Sequence, residues 1–136
     1  MQTAIYLFFS GNCREAFTHY GEVFGATPDI MSAADMPPGE GVPEMPADTV
    51  MHAALRLGDD WIFGSDDPSG STPAMAGCNL SVSLPNDAET RRVYQALSEG
   101  GDIRQPLAPE FWTSLYSAFT DRHGIRWMVM TESAQP

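Results

Sequence analysis

The sequence predicts an α+β fold built from two βαβββ modules, and three observations lead to this prediction. The pattern Asn-x-x-Glu, typical of a helix N-terminus, occurs at Asn12–Glu15 and again at Asn86–Glu89. Tyr20 and Tyr94 follow the two patterns at the same distance. The second copy has the order strand, helix and three strands, and the first copy fits the same order. This duplication predicts a single domain over residues 1–136, with its site in the groove between the two halves.

Module one is predicted at about residues 1–66. Ala4–Phe9 is apolar and rich in β-forming residues, which indicates a first strand. A helix at about 12–25 follows, because apolar residues recur at helical spacing until Gly25, a typical C-terminal cap. Thr27–Ala34 is a weak strand candidate. A hairpin is predicted from two alternating segments and the turn between them: Val50–Leu57, Gly58-Asp59-Asp60 and Trp61–Ser65.

Module two is predicted at about residues 77–136, after a linker of small and polar residues at about 67–76. Its helix is expected at about 86–99, because Asn86 caps the start and Gly100-Gly101 ends it. Alternation of polar and apolar residues predicts four strands in this module: Cys78–Leu84, Asp102–Leu107, Thr113–Thr120 and Ile125–Met130.

The segment Asp35–Asp48 interrupts module one. Its prolines, glycines and acidic residues exclude regular secondary structure. A loop of this length in a compact domain is either functional or disordered. Two interpretations stay open: Met36 and Met45 fold over a pocket as a lid, or the segment is a flexible exposed loop.

Composition excludes several classes of function. The chain has a net charge of −11, with seven arginines and no lysine. A nucleic-acid backbone is repelled by such a surface, and Schiff-base chemistry on a lysine is impossible. No apolar run reaches the roughly 20 residues of a membrane helix, and no secretory leader opens the chain. We therefore expect no nucleic acid and no membrane as partners, and a cytoplasmic, bacterial-type protein.

The two cysteines, Cys13 and Cys78, do not form a redox or zinc motif. Cys13 opens the first helix, where a helix N-terminus lowers the pKa of a thiol. It also lies on the apolar face of that helix, which favours a small buried residue. Cys78 begins an alternating strand and is predicted in the core.

Strand alternation places a series of polar side chains on one face of the sheets. Inward polar groups are costly unless they are paired or solvated, so their recurrence on successive strands predicts a solvated pocket. The series consists of His52, Arg56, Asn79, Ser81, Ser83, Ser114, Tyr116 and Thr120.

His52 is the first candidate for chemistry, because a histidine can act as a base or a ligand near neutral pH. The alternative is a structural histidine held by hydrogen bonds. Tyr116 and Glu110 complete the set of candidate catalytic residues. For Glu110 the alternative interpretation is a solvated carboxylate in a loop. The other two histidines, His19 and His123, are predicted at the surface. The candidate ligand contacts are Asn79, Arg56, Trp112, Phe9 and Met128.

These residues predict one cavity on which His52, Asn79 and Tyr116 converge. The Asp35–Asp48 loop and the Glu110–Trp112 segment are expected to close part of it. The prediction depends on strand parity, because a register error of one residue would place the side chains under the helices. The apolar lining is expected to come from Ile5, Leu7, Phe9, Met128 and Met130.

Three segments of the chain resemble the PhnB-like branch of the vicinal oxygen chelate superfamily: YLFFSGNCREAFTHYGEVFGA, VMHAALRLGDDWIFGSDD and FWTSLYSAFTDRHGIRWMVM. That superfamily includes glyoxalase I, bleomycin-resistance proteins and extradiol dioxygenases. The resemblance covers nearly the whole chain, and its most specific part is the closing motif with Phe111-Trp112, Asp121, Gly124 and Trp127. It implies paired βαβββ modules whose curved mixed sheets surround a cup, and it implies a homodimer.

Metal-dependent members of the superfamily carry histidine or glutamate at inward positions of the outer strands. The resemblance carries these positions over to Ile5, to Gly64 or Ser65, to Asn79 and to Met128. None of these residues is a histidine, glutamate or aspartate, and a neutral amide oxygen alone does not hold a divalent transition metal. We therefore expect neither a bound metal nor another cofactor.

Three functions follow as hypotheses. The first is a metal-free protein of the bleomycin-resistance type that binds a small molecule. The second is a lyase or isomerase that uses His52 with Tyr116 or Glu110, with or without a non-standard metal site. The third is an accessory protein whose cup is filled by its own side chains.

Overall fold

A computed structural model of the chain describes residues 1–37 and 45–133. The chain divides into two compact units, Met1–Thr72 and Pro73–Pro136. In the part of the chain that the structure describes, each unit contains one α-helix and one mixed four-stranded sheet. The predicted α+β fold with a repeated strand–helix–three-strand order is confirmed. Among the described residues, no helix is long and apolar enough to cross a membrane.

The first unit forms a sheet with the strand order β1-β4-β3-β2. Strand β1 runs parallel to β4, and the other two pairs are antiparallel. The segment Thr27–Ala34, predicted as a weak strand, does form one, but the strand is shorter and covers Asp29–Ser32. A short 3₁₀ helix at Ala33–Asp35 follows it. The elements are β1 (Ile5–Phe9), α1 (Cys13–Phe24), β2 (Asp29–Ser32), β3 (Val50–Leu57) and β4 (Asp60–Asp66).

The second unit repeats this topology with the order β5-β8-β7-β6, in which β5 runs parallel to β8. Its second strand, β6, continues to Glu110, three residues beyond the predicted end, so Glu110 lies in a strand and not in a loop. The elements are β5 (Leu80–Leu84), α2 (Asp87–Ser98), β6 (Asp102–Glu110), β7 (Thr113–Thr120) and β8 (Arg126–Thr131).

The two helices begin in different ways. Asn86 caps α2 as predicted, because its side chain accepts a hydrogen bond from the Glu89 N–H at 2.9 Å. The Asn12 side chain makes no capping hydrogen bond to α1. The carboxylate of Asp66 accepts from the Cys13 N–H instead, at 3.0 Å. Asn12 is thus the N-cap residue, as predicted, but the predicted hydrogen bond of its side chain is absent, and a charged acceptor from the end of β4 takes its place at the positive end of the helix.

The core of the first unit lies between α1 and one face of the sheet. Leu7 and Phe9 of β1 point to this face, together with Leu55 and Ile62 of the neighbouring strands, and all four are buried. The rings of Phe9 and Phe17 meet edge to face with centroids 6.0 Å apart. Phe9 was predicted in the pocket, but it is only 2% exposed and packs against the helix.

The core of the second unit is centred on Trp127, which is fully buried under α2 with Val93, Leu97 and Phe119. The β7–β8 turn folds onto this core, because Asp121 accepts hydrogen bonds from the backbone N–H groups of residues 123 and 125. His123 is consequently buried, and the prediction of a surface histidine is wrong.

The two cysteines are unpaired and differ in exposure. Cys13 is fully buried, as the apolar face of α1 predicts. Burial, with a smaller contribution from the charge of Asp66, raises the pKa of the Cys13 thiol to about 12. The helix N-terminus therefore does not activate this thiol. Cys78 is exposed, and its predicted core position is wrong because β5 begins two residues later at Leu80.

Candidate functional site

Large aromatic side chains occupy the far face of the first sheet, the face turned away from α1. Tyr6 and Phe8 alternate with the buried residues of β1 and are 41% and 52% exposed. Register pairs Tyr6 with Phe63 of β4, and Trp61 lies two residues before Phe63 on the same face. With His52 of β3, these residues form what we call the aromatic strip: Phe8, Tyr6, His52, Phe63 and Trp61.

The rings of the aromatic strip follow one another at contact distance. Centroid separations are 5.4 Å for Tyr6–Phe8, 5.7 Å for Tyr6–His52 and 5.5 Å for His52–Phe63. Phe63 and Trp61 are almost parallel, with an interplanar angle of 8° at 6.0 Å. Such spacings are those of favourable aromatic pairs. The strip is therefore a continuous π surface across three strands.

His52 is held in the middle of this surface by a hydrogen bond. The Tyr6 hydroxyl lies 3.1 Å from His52 Nδ1, and the donor is set by the imidazole tautomer. Within the described residues, His52 Nε2 has no hydrogen-bond partner. The contact thus fixes the imidazole and leaves Nε2 for a ligand, as donor in one tautomer and acceptor in the other.

Arg56 was predicted to bind a ligand, and the structure places it at the β3–β4 turn. Its guanidinium lies 6.0 Å from the centroid of the Trp61 ring, a cation–π contact. Its Nε donates to the Gly58 carbonyl at 3.0 Å, and Nη2 lies 3.7 Å from Asp59. The side chain extends the strip at its Trp61 end, on the solvent side.

The second sheet also has a far face, turned away from α2. Met128 and Tyr116 lie on it and are half-buried, and their strand neighbours Trp127, Val129 and Ser117 point to the core. The rings of Trp112 and Tyr116 meet at 66° with centroids 5.0 Å apart. The predicted ligand contact Trp112 and the predicted catalytic residue Tyr116 are therefore neighbours in space.

The polar end of this far face is formed by Asn79, which was a predicted ligand contact. Its amide oxygen accepts from Arg104 Nη2 at 3.3 Å and from Arg126 Nε at 3.2 Å. Thr120 accepts from Arg104 Nη1 at 2.6 Å. Sequence reasoning missed both arginines, because they lie on different strands and belong to no local motif.

Two further residues of the predicted site, Glu110 and Ser114, lie at the edges of the second unit's elements. Glu110 ends β6 and is exposed, and Phe111 beside it is 98% exposed. Ser114 donates to the Asp87 carboxylate at the start of α2, at 2.5 Å. This bond, followed by one from Thr131, lowers the pKa of Asp87. Ser114 therefore positions the helix.

The expected convergence of His52, Asn79 and Tyr116 stays a prediction, because His52 belongs to the first unit and the other two to the second. Within its own unit, each of the three lies on the far face of its sheet. Of the aromatic strip, the sequence prediction named His52 alone and omitted Tyr6, Phe8, Phe63 and Trp61. For Tyr6 and Phe8 the signal was the strand parity of β1, in which they alternate with two apolar residues that pack on the helix.

A cavity of about 320 Å³ lies in the first unit, where β1 and β4 end beside the start of α1. It is lined by Ser10, Gly11, Met45, Pro46, Thr49, Asp66, Asp67, Pro68 and Gly70. His52 is not part of its wall. Met45, a residue of the predicted lid, lines it, whereas residues 38–44 of that loop lie outside the described residues.

The side chains at the inherited metal positions do not fit a transition metal. Ile5 has the strand parity of the core residues of β1, and Ser65, Asn79 and Met128 offer a hydroxyl, an amide and a thioether. Divalent metals in this kind of site need imidazole, carboxylate or thiolate ligands. Within residues 1–37 and 45–133, no three histidine, cysteine, aspartate or glutamate side chains are grouped for a metal. We therefore derive no chemical step through a metal.

Comparison with known proteins gives a consistent result. The family described as Glyoxalase/Bleomycin resistance protein/Dioxygenase superfamily matches residues 3–129. Protein YjdN of Escherichia coli (strain K12) is 27% identical over 147 residues, which cover 100% of this chain and 99% of YjdN. The crystal structure of protein PA1353 from Pseudomonas aeruginosa is 38% identical with a TM-score of 0.84, over 97% of this chain and 98% of PA1353.

A more distant structure has the same fold. It is the putative 3-demethylubiquinone-9 3-methyltransferase, PhnB protein, from Bacillus cereus, at 20% identity and a TM-score of 0.76. The match covers 97% of this chain and 100% of that protein. At this identity the likeness concerns the fold alone.

Proposed function

Because this chain belongs to the Glyoxalase/Bleomycin resistance protein/Dioxygenase superfamily, we propose that it is a metal-free protein that binds a small molecule on the aromatic strip. The observation that carries the proposal is His52, fixed by Tyr6 between aromatic rings and with Nε2 free for a ligand among the described residues. Association as a homodimer is part of this proposal.

The strip favours a planar, unsaturated ligand with one polar group. Exposed aromatic faces gain from stacking against another ring, and Phe8 and Tyr6 leave large fractions of their surface for such a contact. His52 supplies a hydrogen-bonding atom in the same surface, which fixes the orientation of a bound ring. The guanidinium of Arg56 adds a positive charge at the Trp61 end.

The His52→Ala variant is expected to lose the ligand while the free energy of unfolding changes by no more than about 1 kcal/mol, the usual scale for a site that the core does not need. The reason is that Nε2 holds the ligand and the ring supports no core packing. Mass spectrometry of small molecules that co-purify with the native protein, compared between wild type and variant, measures the loss.

His19→Ala in α1 is the matched histidine control and should keep the ligand. Phe8→Ala should weaken binding, whereas Phe111→Ala, which removes an even more exposed ring from the second unit, should not. Retention of the ligand by His52→Ala, or failure of that variant to fold, would contradict the proposal.

A second function is favoured by the Tyr6–His52 hydrogen bond, which orients an imidazole as a catalytic base needs. In this alternative the protein is a lyase or isomerase in which His52 moves a proton on the substrate. Its proposed catalytic partner is either Tyr116 or Glu110. Tyr6 adds a residue that holds the imidazole ring in place.

Elemental analysis of the purified protein distinguishes the metal-free binding protein from an enzyme with a metal site, because it measures how much metal is bound per chain. We expect no stoichiometric zinc, nickel, iron or manganese in the purified protein, because the inherited positions lack charged or imidazole ligands. About one metal per chain that disappears in His52→Ala would refute the metal-free proposal and favour an enzyme. A metal retained by His52→Ala would refute it too and would place the ligands elsewhere.

A further inference from the structure

We propose that the far face of the second sheet carries an oxyanion-binding site formed by Arg104 and Arg126, which takes the carboxylate or phosphate group of a small molecule. The site lies entirely within the second unit. It does not depend on the ligand proposed for the aromatic strip.

The two guanidinium groups are held close together by a shared acceptor. Arg104 comes from β6 and Arg126 is the first residue of β8. Arg104 Nη2 and Arg126 Nε lie 3.3 Å and 3.2 Å from the same atom, Asn79 Oδ1. The sum of these distances limits the separation of the two nitrogens to about 6.5 Å. One oxyanion can therefore reach both groups.

Further contacts fix the geometry of the pair. Arg104 also donates to Thr120 Oγ1 at 2.6 Å and to the Phe119 carbonyl at 3.3 Å. Thr120 and Arg126 are direct partners in the β7–β8 ladder. The guanidinium groups are thus positioned before any ligand arrives, which lowers the entropic cost of binding.

The pair lacks a negative charge of its own. The acceptors around it are an amide, a hydroxyl and a backbone carbonyl, all neutral. Among the described residues the ion pairs of arginine are Arg56–Asp59 and Arg92–Glu89, and neither member of this pair lies within 4.0 Å of a carboxylate. Two neighbouring positive charges repel each other, and an oxyanion placed between them removes that repulsion.

The contrast with the rest of the chain strengthens this inference. Acidic residues outnumber arginines by 18 to seven, so carboxylates are abundant as partners. Two of the seven arginines nevertheless converge on one neutral oxygen. Guanidinium groups bind carboxylate and phosphate through paired charge-assisted hydrogen bonds. An oxyanion is therefore the ligand whose chemistry matches the site.

The surface beside the pair indicates the body of the ligand. Along β8 and β7 the far face continues with Met128, opposite Ala118, and with Met130, opposite Tyr116. Met128 and Tyr116 are half-buried and border solvent on this face, whereas Ala118 and Met130 are buried beside them. These side chains are apolar or aromatic. The ligand is accordingly an organic acid with an apolar or aromatic body.

Benzoate and phenyl phosphate are suitable probes, because they combine a ring with the two candidate head groups. In a titration of ¹⁵N-labelled protein at low salt, we expect saturable shifts of the Arg126 Nε–H and Asn79 side-chain amide signals. Benzyl alcohol, the neutral control, should cause none, and inorganic phosphate should bind more weakly than phenyl phosphate. The tighter of the two acids identifies the head group.

The variants test the charge pair itself. Arg104→Gln and Arg126→Gln are each expected to weaken binding by about tenfold or more, and the double variant to abolish saturable binding. Arg92→Gln makes the same change of charge on α2 and should bind as the wild type does. Equal weakening by Arg92→Gln, or a wild type whose arginine signals respond to neither acid, overturns the proposal. The wild-type titration decides if the glutamine variants do not fold.

Discussion

Replacing Asp121 with alanine is expected to lower the free energy of unfolding by about 4 kcal/mol, a large part of the 5–15 kcal/mol typical of a domain. Asp121 is 3% exposed. Its Oδ1 accepts from the N–H groups of His123 and Ile125 at 2.8 and 2.9 Å, and Oδ2 accepts from Trp127 Nε1 at 2.8 Å. The change leaves three donors without this acceptor, and urea unfolding followed by circular dichroism measures the loss.

The control for this prediction is Asp102→Ala, which removes the same charge from an exposed position at the start of β6. Its effect should stay within about 0.5 kcal/mol, as for other surface substitutions. If Asp121→Ala costs no more than the control, the carboxylate does not hold the β7–β8 turn.

A double-mutant cycle separates the indole bond from the two backbone bonds. Asp121→Asn replaces one carboxylate oxygen with an amide donor, and Trp127→Phe removes the indole donor. The combined variant should lose less stability than the two single variants added together, with a coupling of about 1 kcal/mol or more. Additive losses would show that the side chains of Asp121 and Trp127 do not share a hydrogen bond.

The elements of the fold were predictable because their signals are local. Alternation marks β3 and β7, and Asn86 caps α2 with a hydrogen bond to a residue only three positions away. The acceptor at the start of α1 was not predictable in this way. This acceptor, Asp66, is separated from Cys13 by 53 residues, and a pattern in the first helix contains no information about it.

A comparison of His52 in β3 with the β1 residues of the aromatic strip shows why a site is harder to predict than a strand. His52 stands between apolar neighbours in β3, so its alternation indicates a face. In β1 all five residues of IYLFF are large and apolar or aromatic, and nothing in the composition shows which of them point to the helix. The assignment of Phe9 to the pocket failed for this reason, and Tyr6 and Phe8 were overlooked.

The arginine pair was beyond sequence reasoning for a geometric reason. Arg104, Arg126 and Asn79 lie on or beside three different strands, and the contacts with Asn79 span 25 and 47 residues. Only the register of the second sheet brings them together. The turn at Asp121 is a similar case, because His123 looks like a surface residue until the hydrogen bonds of Asp121 fold the turn onto the core.

Replacing Asp66 with asparagine is expected to lower the free energy of unfolding by about 3 kcal/mol, because hydrogen bonds to a buried charged acceptor contribute roughly 1.5–3 kcal/mol each. Asp66 is 8% exposed at the end of β4. Its Oδ1 accepts from the Cys13 N–H at 3.0 Å and its Oδ2 from the Val50 N–H at 2.9 Å. One carboxylate thus joins the start of α1 to the start of β3. The amide keeps one acceptor and turns a donor toward the other N–H.

Asp59→Asn is the matched control, since its carboxylate is fully exposed and only loosely paired with Arg56. Its effect should be no larger than that of a surface ion pair, about 0–1 kcal/mol.

Hydrogen exchange adds a local measurement, in which the Cys13 or the Val50 amide should exchange faster in Asp66→Asn than in the control. Because His52 lies two residues beyond Val50 on β3, Asp66→Asn should also weaken the binding of the ligand to the aromatic strip. Unchanged exchange at both amides, with a stability equal to that of Asp59→Asn, would show that Asp66 joins neither element and that His52 is positioned by its strand neighbours alone.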